Sequence, residues 1–112
     1  MTVATVLNAT LTDATSYASA VLTVDTYVEL AVDITISSHT GGHYTGFIIN
    51  RIGADSNEYF VANTESVQET GQITTNIGAG LNNASFGDQI IVRLNNPGGD
   101  TISGTISIKG KT

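Results

Sequence analysis

The strongest constraint on the fold is an alternation of apolar and polar residues over the segment Tyr27–Ile36. Every even position in this segment is aliphatic, and the odd positions include Glu29, Asp33 and Thr35. Successive side chains of a β-strand point to opposite sides of the sheet. The pattern therefore predicts a strand with one buried face and one solvated face.

The same alternation recurs in three other segments. The segment Ile102–Ile108 alternates aliphatic or Gly with Ser and Thr, and residues 88–94 place Ile90, Val92 and Leu94 on one side and Gln89, Ile91 and Arg93 on the other. Residues 17–24 alternate too, with Leu22 and Val24 on one side and Tyr17 and Val21 on the other. Less regular predicted strands, rich in Thr, Val, Ile and aromatic residues, are Val3–Leu11, Tyr44–Ile52, Glu58–Ala62 and Gln72–Ile77. Segments rich in turn-forming residues separate these strands, including 78–87 and Asn95–Asp100, and the one helical candidate is a short turn near Thr64–Thr70.

About eight short strands without an internal repeat favour two packed sheets over a β-helix or an open sheet. An open sheet would expose long aliphatic edges to aggregation. We therefore predict an all-β fold, an antiparallel β-sandwich of about eight strands with a jelly-roll-like arrangement.

The length of 112 residues predicts a single domain. The first fifteen residues are rich in Thr and Ala and carry a single charge, Asp13. We assign residues 1–15 to an N-terminal arm or a first strand, and residues 16–112 to the sandwich. The chain contains no Cys, which excludes disulfide frameworks and Cys-based zinc sites, and we expect no cofactor.

The charge balance excludes one class of partner. Ten acidic residues against four basic ones give a formal net charge of −6. Such a surface repels phosphate backbones, so we expect no nucleic-acid partner. No apolar run is long enough to cross a bilayer and no secretory signal is recognisable, so we expect no membrane association.

From Tyr27 to Gly110, the order of features resembles a compact viral jelly roll or the trimeric sandwich of the C1q and tumour-necrosis-factor type. The residues that carry this resemblance are the strand Tyr27–Ile36, the step Phe86-Gly87-Asp88 leading into Gln89–Leu94, and the closing strand Ile102–Ile108. Low charge and high Thr, Ser, Asn and Gly content also resemble bacteriophage head decoration (cement) proteins. With seven aromatic residues and no Trp, the chain is more similar to the viral group than to vertebrate C1q domains.

Few residues of the sequence are candidates for catalysis or metal binding. His39 and His43 lie in a Gly-rich segment, which predicts an exposed loop rather than a metal site. The run Asp55–Glu58 lacks the pattern of a calcium loop and predicts an Asx-type turn. There is no Gly-x-Ser-x-Gly elbow, and a domain of this size offers little cleft for a carboxylate pair. We expect no enzymatic activity, no catalytic residues and no metal site.

Apolar residues on the predicted wet side of strands indicate contact with other molecules. These positions are Tyr17, Val21, Tyr27 and Ile91, together with Arg93 beside Ile91. We predict that they form an interface in a homotrimer or with a partner.

The resemblance implies a virion protein that is made in the host cytoplasm, binds the major capsid protein on the outside of a phage head and stabilises the shell. The alternative is a carbohydrate- or host-receptor-binding sandwich of a phage fibre or tail, with Tyr17, Tyr44 and Tyr59 as sugar platforms. A third possibility is an acidic secreted structural domain.

Overall fold

The computed structural model describes residues 2–77 and 88–112. These residues form eight strands and no helix. The strands are β1 Val3–Ala14, β2 Leu22–Thr23, β3 Glu29–Thr40, β4 Gly46–Ile52, β5 Glu58–Asn63, β6 Gly71–Ile77, β7 Gln89–Asn95 and β8 Thr101–Lys111. The predicted turn at 78–87, and with it Phe86 and Gly87 of the resemblance, lies outside the described residues.

The strands form two antiparallel four-stranded sheets, ordered β1-β8-β3-β6 and β2-β7-β4-β5. The pairs β1·β8, β2·β7, β3·β6 and β4·β5 are nested like the two arms of one long hairpin. Alternate pairs of this hairpin fall in opposite sheets, which is the jelly-roll arrangement. The predicted antiparallel, jelly-roll-like sandwich is confirmed.

The core lies between the two sheets and consists largely of the inward side chains that alternation predicts, although Val28, which precedes β3, is 46 % exposed. The even positions of β3 from Leu30 to Ile36, and Ile102, Ile106 and Ile108 of β8, are at most 2 % exposed. They face Phe47 and Ile49 of β4 and Ile90 and Val92 of β7. These buried aliphatic groups supply the main favourable contribution to folding.

The predicted strand at 17–24 is reduced to the two residues of β2. Ala18 pairs with Arg93, and Leu22 pairs with Ile90. Between these two pairs, residues 19–21 lie opposite only residues 91–92 of β7. Ser19 fills this bulge, since its backbone N–H donates to Val92 O at 2.8 Å and its hydroxyl accepts from Val92 N–H at 2.9 Å. This β-bulge breaks the alternation of inward and outward side chains within the segment 17–24, where the sequence predicts a regular strand.

The helical turn predicted near Thr64–Thr70 is wrong. Val67 instead forms a two-way backbone bridge with Thr45, with both N–H···O distances at 2.8 Å. The Thr64 hydroxyl accepts from the backbone N–H of Phe47 at 2.9 Å. These long-range partners hold the segment extended along β4 because they satisfy the backbone groups that a helical turn would pair locally.

Four chain connections meet at one end of the sandwich. Because β1 and β3 both run antiparallel to β8, and β6 runs antiparallel to β3, the connections β1–β2, β3–β4, β5–β6 and β7–β8 must share an end. We call this the loop end. No helix long and apolar enough to span a bilayer occurs within the two described stretches.

Candidate functional site

The outer face of the β2-β7-β4-β5 sheet, called the apolar face below, carries the most exposed large apolar side chain of the described residues. Phe60 of β5 is 66 % exposed, and its register partner on β4 is Asn50. Ile48 and Ile52 alternate with Asn50 on β4 and point the same way. The exposed Val21, which precedes the buried Leu22, flanks β7 at the other edge of the sheet.

Two of the predicted interface residues lie at the centre of the apolar face. Ile91 is the register partner of Asn50 on the β7 side but is only 9 % exposed. The Arg93 guanidinium donates to Glu58 through Nε and Nη2, both at 2.7 Å. Since β7 and β5 flank β4, this ion pair spans the central strand, and Asn50 Nδ2 also donates to Glu58 Oε1 at 3.2 Å.

The prediction that Ile91 is exposed is therefore wrong, because the fold of one copy already covers it. Arg93 remains partly exposed, but its guanidinium is already paired with the Glu58 carboxylate of the same chain. The hydrogen bond from Arg93 is the main cause that lowers the pKa of Glu58 to about 2. The pair is consequently ionised over the whole physiological range, and it neutralises the charge on the apolar face.

Tyr17 and Tyr27 are half-buried and pack against the hydrophobic core, contrary to the prediction that both point to solvent. Burial raises the pKa of the Tyr17 hydroxyl. The ring of Tyr27 lies where a Cβ on Gly110 would be, 2.5 Å from that position. Tyr27 covers a glycine in β8, a structural role that its sequence position between β2 and β3 does not reveal. The predicted interface role of the five residues stays a prediction.

The outer face of the other sheet, β1-β8-β3-β6, has the opposite character. Registered rows of hydroxyl, amide and carboxylate side chains run across it, and none of these side chains is buried. The rows are Thr10, Thr105, Thr35 and Gln72, and Asn8, Ser107, Asp33 and Thr74. The two outer faces of the sandwich therefore differ in polarity.

At the loop end, Asp100 joins the β7–β8 connection to β3 and the β3–β4 connection. Its carboxylate is 1 % exposed and accepts hydrogen bonds from His39 Nε2 at 2.8 Å, the His43 backbone N–H at 2.8 Å and His43 Nδ1 at 2.7 Å. Asn96 orients the aspartate, since its amide accepts from Asp100 N–H at 2.9 Å and donates to Asp100 O at 2.7 Å. We call this arrangement the Asp100 clamp.

Two opposing effects act on the Asp100 carboxyl. Burial raises its pKa, but the hydrogen bonds from the His43 side chain and backbone and from His39 together outweigh burial, and the pKa lies below its ordinary value. The carboxylate is therefore ionised at neutral pH, and in this form it accepts all three hydrogen bonds from His39 and His43.

The predicted exposed loop at His39 and His43 is only half right. His43 is exposed, but His39 lies in β3 and its side chain is fully buried. An Asp–His pair is also the base half of a catalytic triad. Within residues 2–77 and 88–112, however, no Ser or Thr hydroxyl forms a hydrogen bond with either imidazole, and no group of three metal-ligating side chains occurs. The geometry of the clamp is that of a loop anchor.

Beside the clamp lies a surface groove of about 500 Å³. The β3–β4 connection contributes Gly42 and Tyr44, and the β5–β6 connection contributes the four residues 67–70. Gln68 Nε2 donates to Gly42 O across the groove at 3.1 Å. Sequence reasoning singled out Tyr44 but missed the groove, because its two walls are more than 20 positions apart in the chain.

The turn predicted at Asp55–Glu58 is confirmed. Asp55 Oδ1 accepts from Asn57 N–H at 3.0 Å, which is the Asx-turn bond, and the Tyr59 hydroxyl donates to Asp55 Oδ2. The Arg51 guanidinium lies 4.6 Å from the centre of the Tyr59 ring. Tyr59 is thus engaged at both its ring and its hydroxyl.

Comparison of the chain with protein-family models and with curated protein sequences gives no match.

Proposed function

We propose that this chain is a virion structural protein that decorates the outside of a bacteriophage head, binds the major capsid protein and stabilises the shell as a homotrimer. The observation that supports the proposal is the difference between the two outer faces. A sandwich that is solvated on all sides has no need of Phe60, Val21, Ile48 and Ile52 on one outer face. The polar face provides the solvated surface of such an assembly.

The charge arrangement also supports adhesion. Burying an unpaired ion in an interface costs roughly several kcal/mol. A bidentate ion pair formed within one chain costs less free energy to bury, because its charges are already paired. The Arg93–Glu58 pair crosses the apolar face in this satisfied form. Each contact between the apolar face and a partner is weak by itself. A trimer on a repetitive lattice makes several such contacts at once, so its overall affinity is higher.

The oligomer is tested by light scattering after size-exclusion chromatography. We expect a trimer at about 10 μM protein, and we expect Phe60→Ser to shift the mass toward the monomer because it removes the main apolar contact. Val3→Ser is the matched control, since Val3 is 60 % exposed but lies in β1 of the other sheet. A monomeric wild-type protein, or equal behaviour of the two variants, would contradict the trimer.

The capsid partner is tested separately by particle association. The protein should be found on purified heads of the phage that encodes it, and the recombinant protein should sediment with shells assembled from that phage's major capsid protein. We expect Phe60→Ser to lower the sedimenting fraction through loss of valency and Val3→Ser to leave it unchanged. Association with tail fibres instead of heads would favour the receptor-binding alternative.

A further inference from the structure

The groove at the loop end has the size of a small-ligand site and a largely polar lining. Its volume of about 500 Å³ falls within the range of such sites in proteins. The lining includes Tyr44, which is 59 % exposed, and the half-buried Val67, which packs against the core. The exposed side chains of Gln68, Glu69 and Thr70 line the remaining side.

The polar side of the groove favours an uncharged ligand rich in hydroxyl groups. An amide, a carboxylate and a hydroxyl can accept and donate several hydrogen bonds to such a ligand. No Lys or Arg is among the lining residues, and the Glu69 carboxylate repels anions. Phosphorylated, sialylated and uronic-acid ligands are therefore disfavoured.

The walls of the groove are fixed before any ligand arrives. The paired backbone bonds between Thr45 and Val67 tie the two connections together, and Gln68 adds the bond to Gly42. The Asp100 clamp holds His43, the residue directly before Tyr44, through both backbone and side chain. A preformed site loses less conformational entropy on binding.

We infer that this groove binds a neutral hexopyranose unit of a glycan, with the sugar ring stacked on Tyr44. The axial C–H groups of a pyranose carry partial positive charge and are attracted to the negative face of an aromatic ring. The sugar hydroxyls then bond to Gln68, Glu69 and Thr70. This site is separate from the apolar face, so it stands or falls independently of the decoration function.

Tyr44 is favoured over the other tyrosines that sequence reasoning named as sugar platforms. Tyr17 packs against the core, and Tyr59 is covered by Arg51 on one side and bonded to Asp55. Tyr44 combines high exposure with a position in a groove.

The test uses nuclear magnetic resonance titration of the full chain with three neutral probes, cellohexaose, maltohexaose and N-acetyllactosamine, and one anionic probe, hexagalacturonate. We expect at least one neutral probe to bind with a Kd below about 10 mM and to shift the amide signals of residues 42–44 and 67–70. Hexagalacturonate should not shift them.

Three variants locate the contact. Tyr44→Ala should weaken binding about tenfold or more, and Tyr44→Phe should retain most of it because the ring is kept. Tyr59→Ala should bind as the wild type does, and an unchanged Tm for Tyr44→Ala shows that the fold is intact. The inference is overturned if none of the neutral probes binds, if the anionic probe binds as well as they do, or if Tyr44→Ala binds like Tyr59→Ala.

Discussion

At the scale of single residues, Asp100 shows what sequence patterns leave out. The segment Asn95–Asp100 predicts a turn, and it is one, but nothing in it announces that the aspartate is buried against two histidines about 60 positions earlier. The meeting of these side chains depends on which strands pair. Alternation predicts which face of a strand a residue occupies, and it does not identify the strand that lies alongside.

Replacing Asp100 tests the clamp through its pH dependence. Folding lowers the pKa of Asp100 from its ordinary value of 3.8, so the ionised carboxylate stabilises the fold above about pH 4, and this contribution is lost as the pH falls through the folded-state pKa. We expect Asp100→Asn to lower Tm by about 5 °C or more at neutral pH, and by less at acidic pH.

The measurement is thermal unfolding of both proteins between pH 7 and about pH 2.5. Asp25→Asn serves as the control, because Asp25 is exposed in the β2–β3 turn. An Asp100→Asn difference that is as large in acid as at neutrality would show that the clamp does not depend on the charge of the carboxylate.

At the scale of elements, alternation located β3, β7 and β8, and strand-forming composition between turn residues located β1, β4, β5 and β6, with errors of a few residues at their ends. Only the alternating segment 17–24 was placed wrongly, since it is reduced to β2. The prediction of a strand at residues 17–24 is wrong because Ser19 forms a bulge in which its hydroxyl replaces a backbone acceptor of regular pairing. A bulge of this kind does not show in the alternation of the sequence. Prediction of the outward interface residues was also limited, since Tyr27 turns inward to cover Gly110. Gly110 lies in β8, the last strand of the chain, so the sequence around Tyr27 gives no sign that its ring will cover this glycine.

The sequence of residues 1–15 is compatible with an arm or a first strand, and the two ends of β1 lead to different predictions. Leu11 is 5 % exposed and belongs to the core, whereas Val3 is largely exposed. We expect Leu11→Ala to lower the free energy of unfolding by about 2–4 kcal/mol and Val3→Ala by less than about 0.5 kcal/mol. Urea unfolding gives both values, and similar small losses would mean that β1 is a detachable arm.

At the scale of the whole molecule, the nested pairing sets the folding rate. The outermost strands, β1 and β8, pair along nearly their full length, so the chain must close its longest loop before that ladder forms. We expect refolding in milliseconds to seconds, as for other all-β domains with non-local contacts. Stopped-flow refolding from urea measures the rate, and sub-millisecond folding would contradict this account.

The pairing of β1 with β8 also brings Thr2 and Thr112 together, with Thr112 N–H donating to Thr2 O at 3.0 Å. Both residues lie at the opposite end of the sandwich from the groove and the Asp100 clamp. Strand β1 begins at this opposite end and runs toward the loop end, and β8 begins at the loop end and runs back. A tag or cargo attached at either position would therefore extend away from the loops. Joining the two positions by a short linker and opening the chain elsewhere should preserve the architecture, which makes the molecule a convenient scaffold for display.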